Sequence, residues 1–188
     1  MRPLHVLVLT VALVFPGCST PQLPDAPSAT QVALCSPGVS LGKVVIAPLT
    51  RWRTDQKEPE VREEIARKAI EATAPAITCA ASVKVLPIAP DTAAADSLAA
   101  AKADGAATAL LIRIDELGPI AILSFPALWS TWSDVKFTLD VVDVASGETR
   151  RSIPHHRRKG GAFEIRGLDP LQGEMEQALK DVIAGATD

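Results

Sequence analysis

Apolar and polar residues follow one another along this chain in patterns that predict alternating strands and helices. Lys43–Leu49 is an apolar, β-branched run typical of a strand buried on both faces. Glu58 opens a segment with apolar residues at helical spacing and glutamates in its first turns, where the helix dipole favours anions. Pro75 is expected to kink or end this helix. A second strand is predicted at Ser82–Leu86 and a third at Thr108–Asp115.

An alanine-rich helix lies between those two strands, and a different pattern follows them. The helix is predicted to be capped by Asp91 or Thr92 and to stop near Gly105. Apolar and polar residues then alternate singly over 135–141, which predicts a fourth strand with one polar face. After a turn, Thr149–Ile153 returns as its antiparallel partner.

The last helix completes the predicted order of elements. Asp169 is expected to cap it, with Pro170 at its first position and Gly185 at its end. The order β-α-β-α-β-β-β-α predicts an α/β (α+β) fold in which helices pack on a mixed sheet of about five strands. One globular domain is expected over residues 42–188.

The amino terminus has the pattern of a secretory signal. Arg2 is followed by an apolar run from Leu4 to Phe15, too short to span a bilayer, which needs roughly 20 apolar residues. Residues 1–17 are therefore predicted to be a signal peptide. Residues 18–41, with Pro21, Pro24, Pro27 and Pro37, have the composition of a linker.

The sequence Pro16-Gly17-Cys18-Ser19 resembles the lipobox of bacterial lipoproteins. The resemblance implies that Cys18 becomes the first residue and carries acyl chains such as palmitate. A serine after the cysteine, here Ser19, resembles the sequence of lipoproteins sent to the outer membrane. This resemblance implies anchoring at the periplasmic face of that membrane. The alternative is an ordinary signal peptide, with Cys18 as a disulfide partner.

Two further cysteines remain if Cys18 is lipidated. They are Cys35 and Cys79. An even number of cysteines in a protein exported to an oxidising compartment favours a disulfide between them. Two buried free thiols are the alternative. Neither cysteine has the spacing to other cysteines or histidines that a zinc site requires.

Composition and motifs argue against several classes of function. The net charge of −3, the lack of tyrosine and the low aromatic content give no support to nucleic-acid binding. Nucleophile-elbow, zinc-protease, phosphate-loop and dinucleotide motifs do not occur in the sequence. The prediction is a protein that is not an enzyme and has no cofactor or metal.

The opening strand Val44–Leu49, the step Ala101–Ala106 and the segment Val141–Glu148 resemble a group of envelope proteins. The group comprises the amino-terminal domain of TolB, the penicillin-binding-protein activator lipoproteins and the Pel polysaccharide-export lipoproteins. The resemblance implies noncatalytic work in assembly, activation or export at the envelope, often in oligomers.

Two segments are candidates for such work. The first is a predicted 16-residue loop, Leu117–Trp132, longer than most connections in compact domains. Its large apolar residues favour contact with a partner or a membrane. The alternative is a loop folded onto its own core. The predicted contact residues are Phe125, Leu128, Trp129 and Trp132.

The second segment is a basic stretch that is expected to form a flexible loop. Its cations could hold phosphate, carboxylate or anionic glycan, or could instead keep an edge strand from pairing with other chains. The neighbouring His155 and His156 make a poor metal site, because adjacent side chains seldom point at one ion. The predicted anion-binding residues are Arg150, Arg151, Arg157, Arg158 and Lys159.

These observations lead to one hypothesis of function and one alternative. The first is an outer-membrane lipoprotein that acts as a noncatalytic scaffold or accessory subunit in envelope assembly or export. It is expected to contact the membrane through its lipid and to bind an envelope protein or further copies of itself. The alternative is a lipoprotein that activates or regulates a periplasmic cell-wall enzyme, but a tether of about 20 residues is short for that role.

Overall fold

The computed structural model describes residues 33–54, 56–88, 93–122 and 130–185. The predicted signal peptide, Cys18, the first part of the tether and the proposed caps Asp91 and Thr92 lie outside these ranges. The elements follow the predicted order, so the α/β class with a mixed five-stranded sheet is confirmed. They are β1 (Gly42–Thr50), α1 (Pro59–Thr73), β2 (Ala80–Val85), α2 (Ala94–Ala103), β3 (Thr108–Ile122), β4 (Ser130–Asp143), β5 (Thr149–Ala162) and α3 (Leu171–Ala184).

The sheet has the strand order β2-β1-β3-β4-β5. β1 is parallel to both of its neighbours, as expected when helices connect the strands, whereas β3, β4 and β5 form an antiparallel meander. The β3–β4 pairing runs from Thr108 opposite Asp143 to Ile122 opposite Ser130. β2 and β5 are the two edge strands of the sheet.

Helices cover the sheet unequally. α1 and α3 pack on one face and bury the larger core, which includes Ile46, Ile112, Phe137 and Leu139 of the strands. α2 covers only part of the other face, through small residues such as Ala101 against Val45 and Leu111. No helix among the described residues has the length and apolarity to cross a bilayer.

The segment before β1 is built into the fold. The backbone N–H of Leu34 donates to the carbonyl of Val182 in α3 at 3.0 Å, and the Leu34 side chain is fully buried. The Thr108 hydroxyl donates to the carbonyl of Leu41 at 2.8 Å. Residues 33–41 therefore cross the end of the sheet where β1 and β3 begin and where α3 ends.

A disulfide joins Cys35 to Cys79, which resolves the alternative of two free thiols. Cys79 precedes β2, so the bridge fastens the entering chain to the edge of the sheet. The backbone N–H of Leu41 also donates to the carbonyl of Cys79, at 2.9 Å.

The prediction of a 16-residue loop at Leu117–Trp132 is wrong. β3 continues to Ile122 and β4 begins at Ser130, so only residues 123–129 lie between the strands. The dipeptide Gly118-Pro119 is typical of a turn, but here it lies within β3, and the small glycine leaves room for a side chain of α1. A Cβ on Gly118 would lie 1.7 Å from Nη1 of Arg62, whose guanidinium donates to the carbonyl of Leu117.

The basic stretch is also not a flexible loop. It is the second half of β5, which extends to Ala162 rather than ending at Ile153. The strand continues because Ile153 and His155 are buried and the cations beyond them have acidic partners on neighbouring elements. A smaller correction concerns α3, which begins at Leu171 after Pro170 and has no side-chain cap from Asp169.

Removing the disulfide is expected to destabilise the protein. Cys35 and Cys79 are 44 residues apart, and closing a loop of this size in the unfolded chain is worth about 4 kcal/mol in the chain-entropy model. Urea unfolding of the full chain should show a midpoint well below that of wild type in the C35S/C79S variant. Reductant should lower the wild-type midpoint and leave that of the variant unchanged. Equal midpoints for all samples would contradict the stabilising role.

Candidate functional site

The basic residues of β5 alternate between the two faces of the sheet. Arg157 and Lys159 reach acidic residues of α3, whereas His156 and Arg158 reach Asp134 of β4. This is the period of two that any strand imposes on its side chains. The predicted cluster of cations is therefore split into two groups that face in opposite directions.

The group on the α3 side centres on two carboxylates. Nη1 of Arg157 lies 3.0 Å from Oδ2 of Asp181, and Nε lies 3.4 Å from Oε2 of Glu174. Nζ of Lys159 and Nη1 of Arg166 each lie 3.6 Å from Oε1 of Glu174. Both carboxylate side chains are only 10% exposed, so α3 places buried acids beneath a row of cations.

The other group centres on Asp134, whose side chain is 4% exposed. Nε of Arg158 donates to Oδ2 of Asp134 at 3.0 Å, and Nε2 of His156 lies 2.7 Å from Oδ1. Farther along the same face, Arg113 pairs with Asp140 at 2.9 Å. Charge on this open face is thus balanced pair by pair.

The two arginines at the start of β5 also have partners. Arg150 pairs with Asp143, whose pKa is lowered chiefly by hydrogen bonds from Ser146. Arg151 donates to the carbonyls of residues 33 and 34 at 2.9 and 3.0 Å, so it holds the entering chain. All five predicted anion-binding residues therefore have internal partners, which favours the protection of an edge strand over a prepared anion site.

Pro154 strengthens that interpretation. Proline lacks a backbone N–H and is confined within sheets to edge strands, ends or bulges. In β5 it lies opposite Thr138 of β4. Together with the cations, it makes this edge a poor template for another strand.

The histidines do not come together as a site. His155 is buried and its ring lies 5.3 Å from that of Phe137, between centroids, whereas His156 is paired with Asp134. Within the described ranges, no group of three or more histidine, cysteine or acidic residues is arranged to hold a metal ion.

Two apolar side chains stand exposed just beyond β5, and the sequence interpretation missed them. Phe163 is 62% exposed and Ile165 is 87% exposed. We call these two residues the apolar tip. The available signal was the pair of large apolar residues two apart, between Gly160-Gly161 and Gly167, outside any predicted element.

The backbone of the apolar tip is held in place by β4. Gly160 has φ +141°, and a Cβ there would lie 2.3 Å from the carbonyl oxygen of Thr131, so only glycine allows the strands to approach so closely. The Thr131 hydroxyl donates to the carbonyl of Glu164 and accepts from the backbone N–H of Arg166 at 3.0 Å. Phe163 takes the left-handed conformation with φ 63°, which is unusual for a bulky residue.

Of the predicted contact residues, Trp132 is placed near the apolar tip. It lies on β4 opposite Gly160 and is partly exposed. Phe125, Leu128 and Trp129 lie outside the described residues. The predicted partner or membrane contact of these four residues stays a prediction.

The apolar tip and the entering chain lie at opposite ends of the sheet. Arg151, which holds residues 33 and 34, is near the start of β5, and Ala162 is its last residue. The intervening strand spans roughly 36 Å at a rise of about 3.3 Å per residue. The chain at residues 33 and 34 therefore lies far from the apolar tip.

An open groove lies at the opposite edge of the sheet, beside β2. Its volume is about 360 Å³, and it is formed by the end of α1, the following turn and β2. We call it the β2 groove. The lining residues are Glu71, Ala74, Pro75, Ile77, Thr78, Ala80 and Val83.

Comparisons with known proteins give a likeness of fold. No family model matches the chain, and no curated protein matches it in sequence. A PelC dodecamer from Paraburkholderia phytofirmans is similar in structure, with 16% identity and a TM-score of 0.49 over 80% of this chain and 93% of that one. Lipoprotein GNA1162 from Neisseria meningitidis is similar with 17% identity and a TM-score of 0.45, over 77% and 99%. The resemblances to TolB, to the penicillin-binding-protein activators and to the Pel lipoproteins stay predictions.

If Glu174 neutralises the cations beside α3, removing its charge should make them available to anions. We expect Glu174→Gln to elute from a heparin column at higher salt than wild type. Glu176→Gln is the matched control, because it removes the same charge from α3 but its carboxylate accepts from Gln172 rather than from a cation. Identical elution of the two variants would show that Glu174 does not mask these cations.

Proposed function

We propose that this chain is a lipoprotein anchored to the periplasmic face of the outer membrane, where it acts as a noncatalytic scaffold or accessory subunit in envelope assembly or export. Cys18 is the proposed site of lipidation. The partner is an envelope protein or further copies of the chain.

The observation that carries the proposal is the fastening of residues 33–41. Leu34 is completely buried and Cys35 is bridged to Cys79, which is not expected of a loose linker. Disulfides persist in compartments outside the cytoplasm, which supports export. A firm junction suits a body that must be held in place at a membrane.

The surface of the body supports an interaction role. The cations of β5 have internal partners, whereas the apolar tip exposes Phe163 and Ile165 on a held backbone. Exposed apolar groups of this kind mark interaction sites when they cluster. Trp132, one of the four predicted contact residues, lies at the same end of the sheet, opposite Gly160.

The anchor is tested on native protein from a bacterial host. Mass spectrometry should find Cys18 as the first residue with a thioether-linked lipid, and fractionation should place the protein in the outer membrane. Cys18→Ala should leave the protein unacylated and released from that membrane. An unmodified Cys18 in the native protein would contradict the proposal.

The interaction role is tested with a W129S/W132S variant of the same lipidated chain. It should keep the wild-type circular dichroism spectrum and outer-membrane location but give smaller complexes after detergent extraction, as measured by light scattering. Val61→Ser is the control, because it removes an exposed apolar side chain from α1. Complexes of unchanged mass in the W129S/W132S variant would remove these tryptophans from the proposed contact.

A further inference from the structure

We infer that the Cys35–Cys79 bridge directs mechanical load: it carries a pull on the tether to the edge strand β2 and keeps that pull off the central strand β1. This inference rests on the proposed function, because the anchor at Cys18 is the source of the pull. It gives the bridge a role in addition to its contribution to the free energy of unfolding.

The path of a pull divides at Cys35. Before that point the pull meets the hydrogen bonds that Arg151 donates to the carbonyls of residues 33 and 34. From Cys35 it has two routes, along the peptide chain to Gly42 at the start of β1, or through the disulfide to Cys79 at the start of β2. The seven residues of the peptide route extend to roughly 25 Å, whereas the bridged Cα atoms are only 5.4 Å apart. The bridge therefore becomes taut first, and the chain between the two cysteines carries no load.

β1 is the strand whose removal opens the whole core. It is hydrogen-bonded to β2 on one side and to β3 on the other, and Val44–Thr50 are all buried. Val44 and Ile46 belong to the larger core, and Val45 and Ala47 belong to the smaller cluster on the other face of the sheet. Pulling β1 out would expose apolar surface on both faces at once, which is the most unfavourable way to open this fold.

β2 and α2 form the part of the fold that opens with the least loss of buried surface. Every residue of β2 is at least partly exposed, and β1 is its only partner strand among the described residues. α2 adds the buried Ala101 and the partly buried Leu98 to the smaller cluster. Detaching the two elements leaves α1 and α3 packed on the sheet. Segments with few buried apolar contacts are the ones that open locally in a folded protein.

The bridge thereby determines the order of opening under load. With the bridge, β2 and α2 detach first, while β1, β3, β4 and β5 stay paired. Without it, the pull passes through the exposed residues 37–40 to Gly42 and acts on β1 directly, so that the sheet opens in one event. The bridged body yields at its edge and re-forms without losing its core.

Magnetic tweezers test this order on the chain from residue 18 to residue 188. A DNA handle on the Cys18 thiol takes the place of the lipid, and a second handle on Ile165→Cys lies at the far end of the sheet. The bridged chain should show an intermediate that is longer by the 29 residues from Cys79 to Thr108, roughly 100 Å of extended chain, before the rest unfolds. The C35S/C79S variant with the same handles should unfold without this intermediate.

A handle inside the bridged loop gives the matched control. Ser40 is exposed and lies two residues before Gly42, so a handle on Ser40→Cys in a C18S background pulls on β1 without crossing the bridge. This molecule should lack the intermediate although its bridge is intact. Reductant should abolish the intermediate in the bridged chain that is pulled from Cys18 and leave the C35S/C79S trace unchanged.

The outcomes separate this inference from the proposed function. An intermediate of the same length in C35S/C79S, or a bridged chain that unfolds from Cys18 in a single step, would overturn the load path and leave the anchor in place. An unacylated Cys18 in the native protein would overturn the anchor and, with it, the role of the bridge under tether load, whatever the tweezers show.

Discussion

The fastening of the entering chain to one end of the sheet is the constraint on which the rest of the account depends. Leu34 is buried against α3, Arg151 holds the carbonyls of residues 33 and 34, and Cys35 is bridged to Cys79. These contacts involve a helix, both edge regions of the sheet and a covalent bond. They fix the end of the sheet at which the amino-terminal chain enters the body, and under the proposed lipidation of Cys18 this is the end that faces the membrane.

Ion pairs within the body explain why the long, basic edge strand β5 is a poor binding surface for other chains. β5 carries its cations over carboxylates that are themselves nearly buried, chiefly Asp134, Glu174 and Asp181. A buried carboxylate requires a charged or hydrogen-bonding partner, so each of these acids holds a cation in place. The aliphatic part of the cationic side chain then lies along the strand. The charges thereby order β5 and discourage foreign strands, and the exposed apolar residues beyond it are left as the distinctive surface.

The sequence was sufficient for the class and order of elements, but not for their lengths. The apolar run of β1 predicts a buried strand, and the helical spacing of apolar residues predicts α3. The extensions of β3 and β5 were missed because Gly118-Pro119 and five cations resemble loop sequence. In the fold these segments meet partners far away in sequence: Gly118 pairs with Asp134 of β4, and Arg157 pairs with Asp181 of α3. The apolar tip was missed for the same reason, since its exposure follows from how Thr131 holds the backbone of Glu164 and Arg166.

The orientation of the body on the membrane is the most direct test of this account. A fluorophore on Ser146→Cys marks the end where the tether enters, and one on Ile165→Cys marks the apolar tip; the native Cys35 and Cys79 are bridged. Energy transfer from each label to acceptor lipids in vesicles that carry the lipidated protein measures height above the bilayer. The account predicts efficient transfer from position 146 and weak transfer from position 165, roughly 36 Å farther away along a strand rising about 3.3 Å per residue. Efficient transfer from position 165 with weak transfer from position 146 would contradict it.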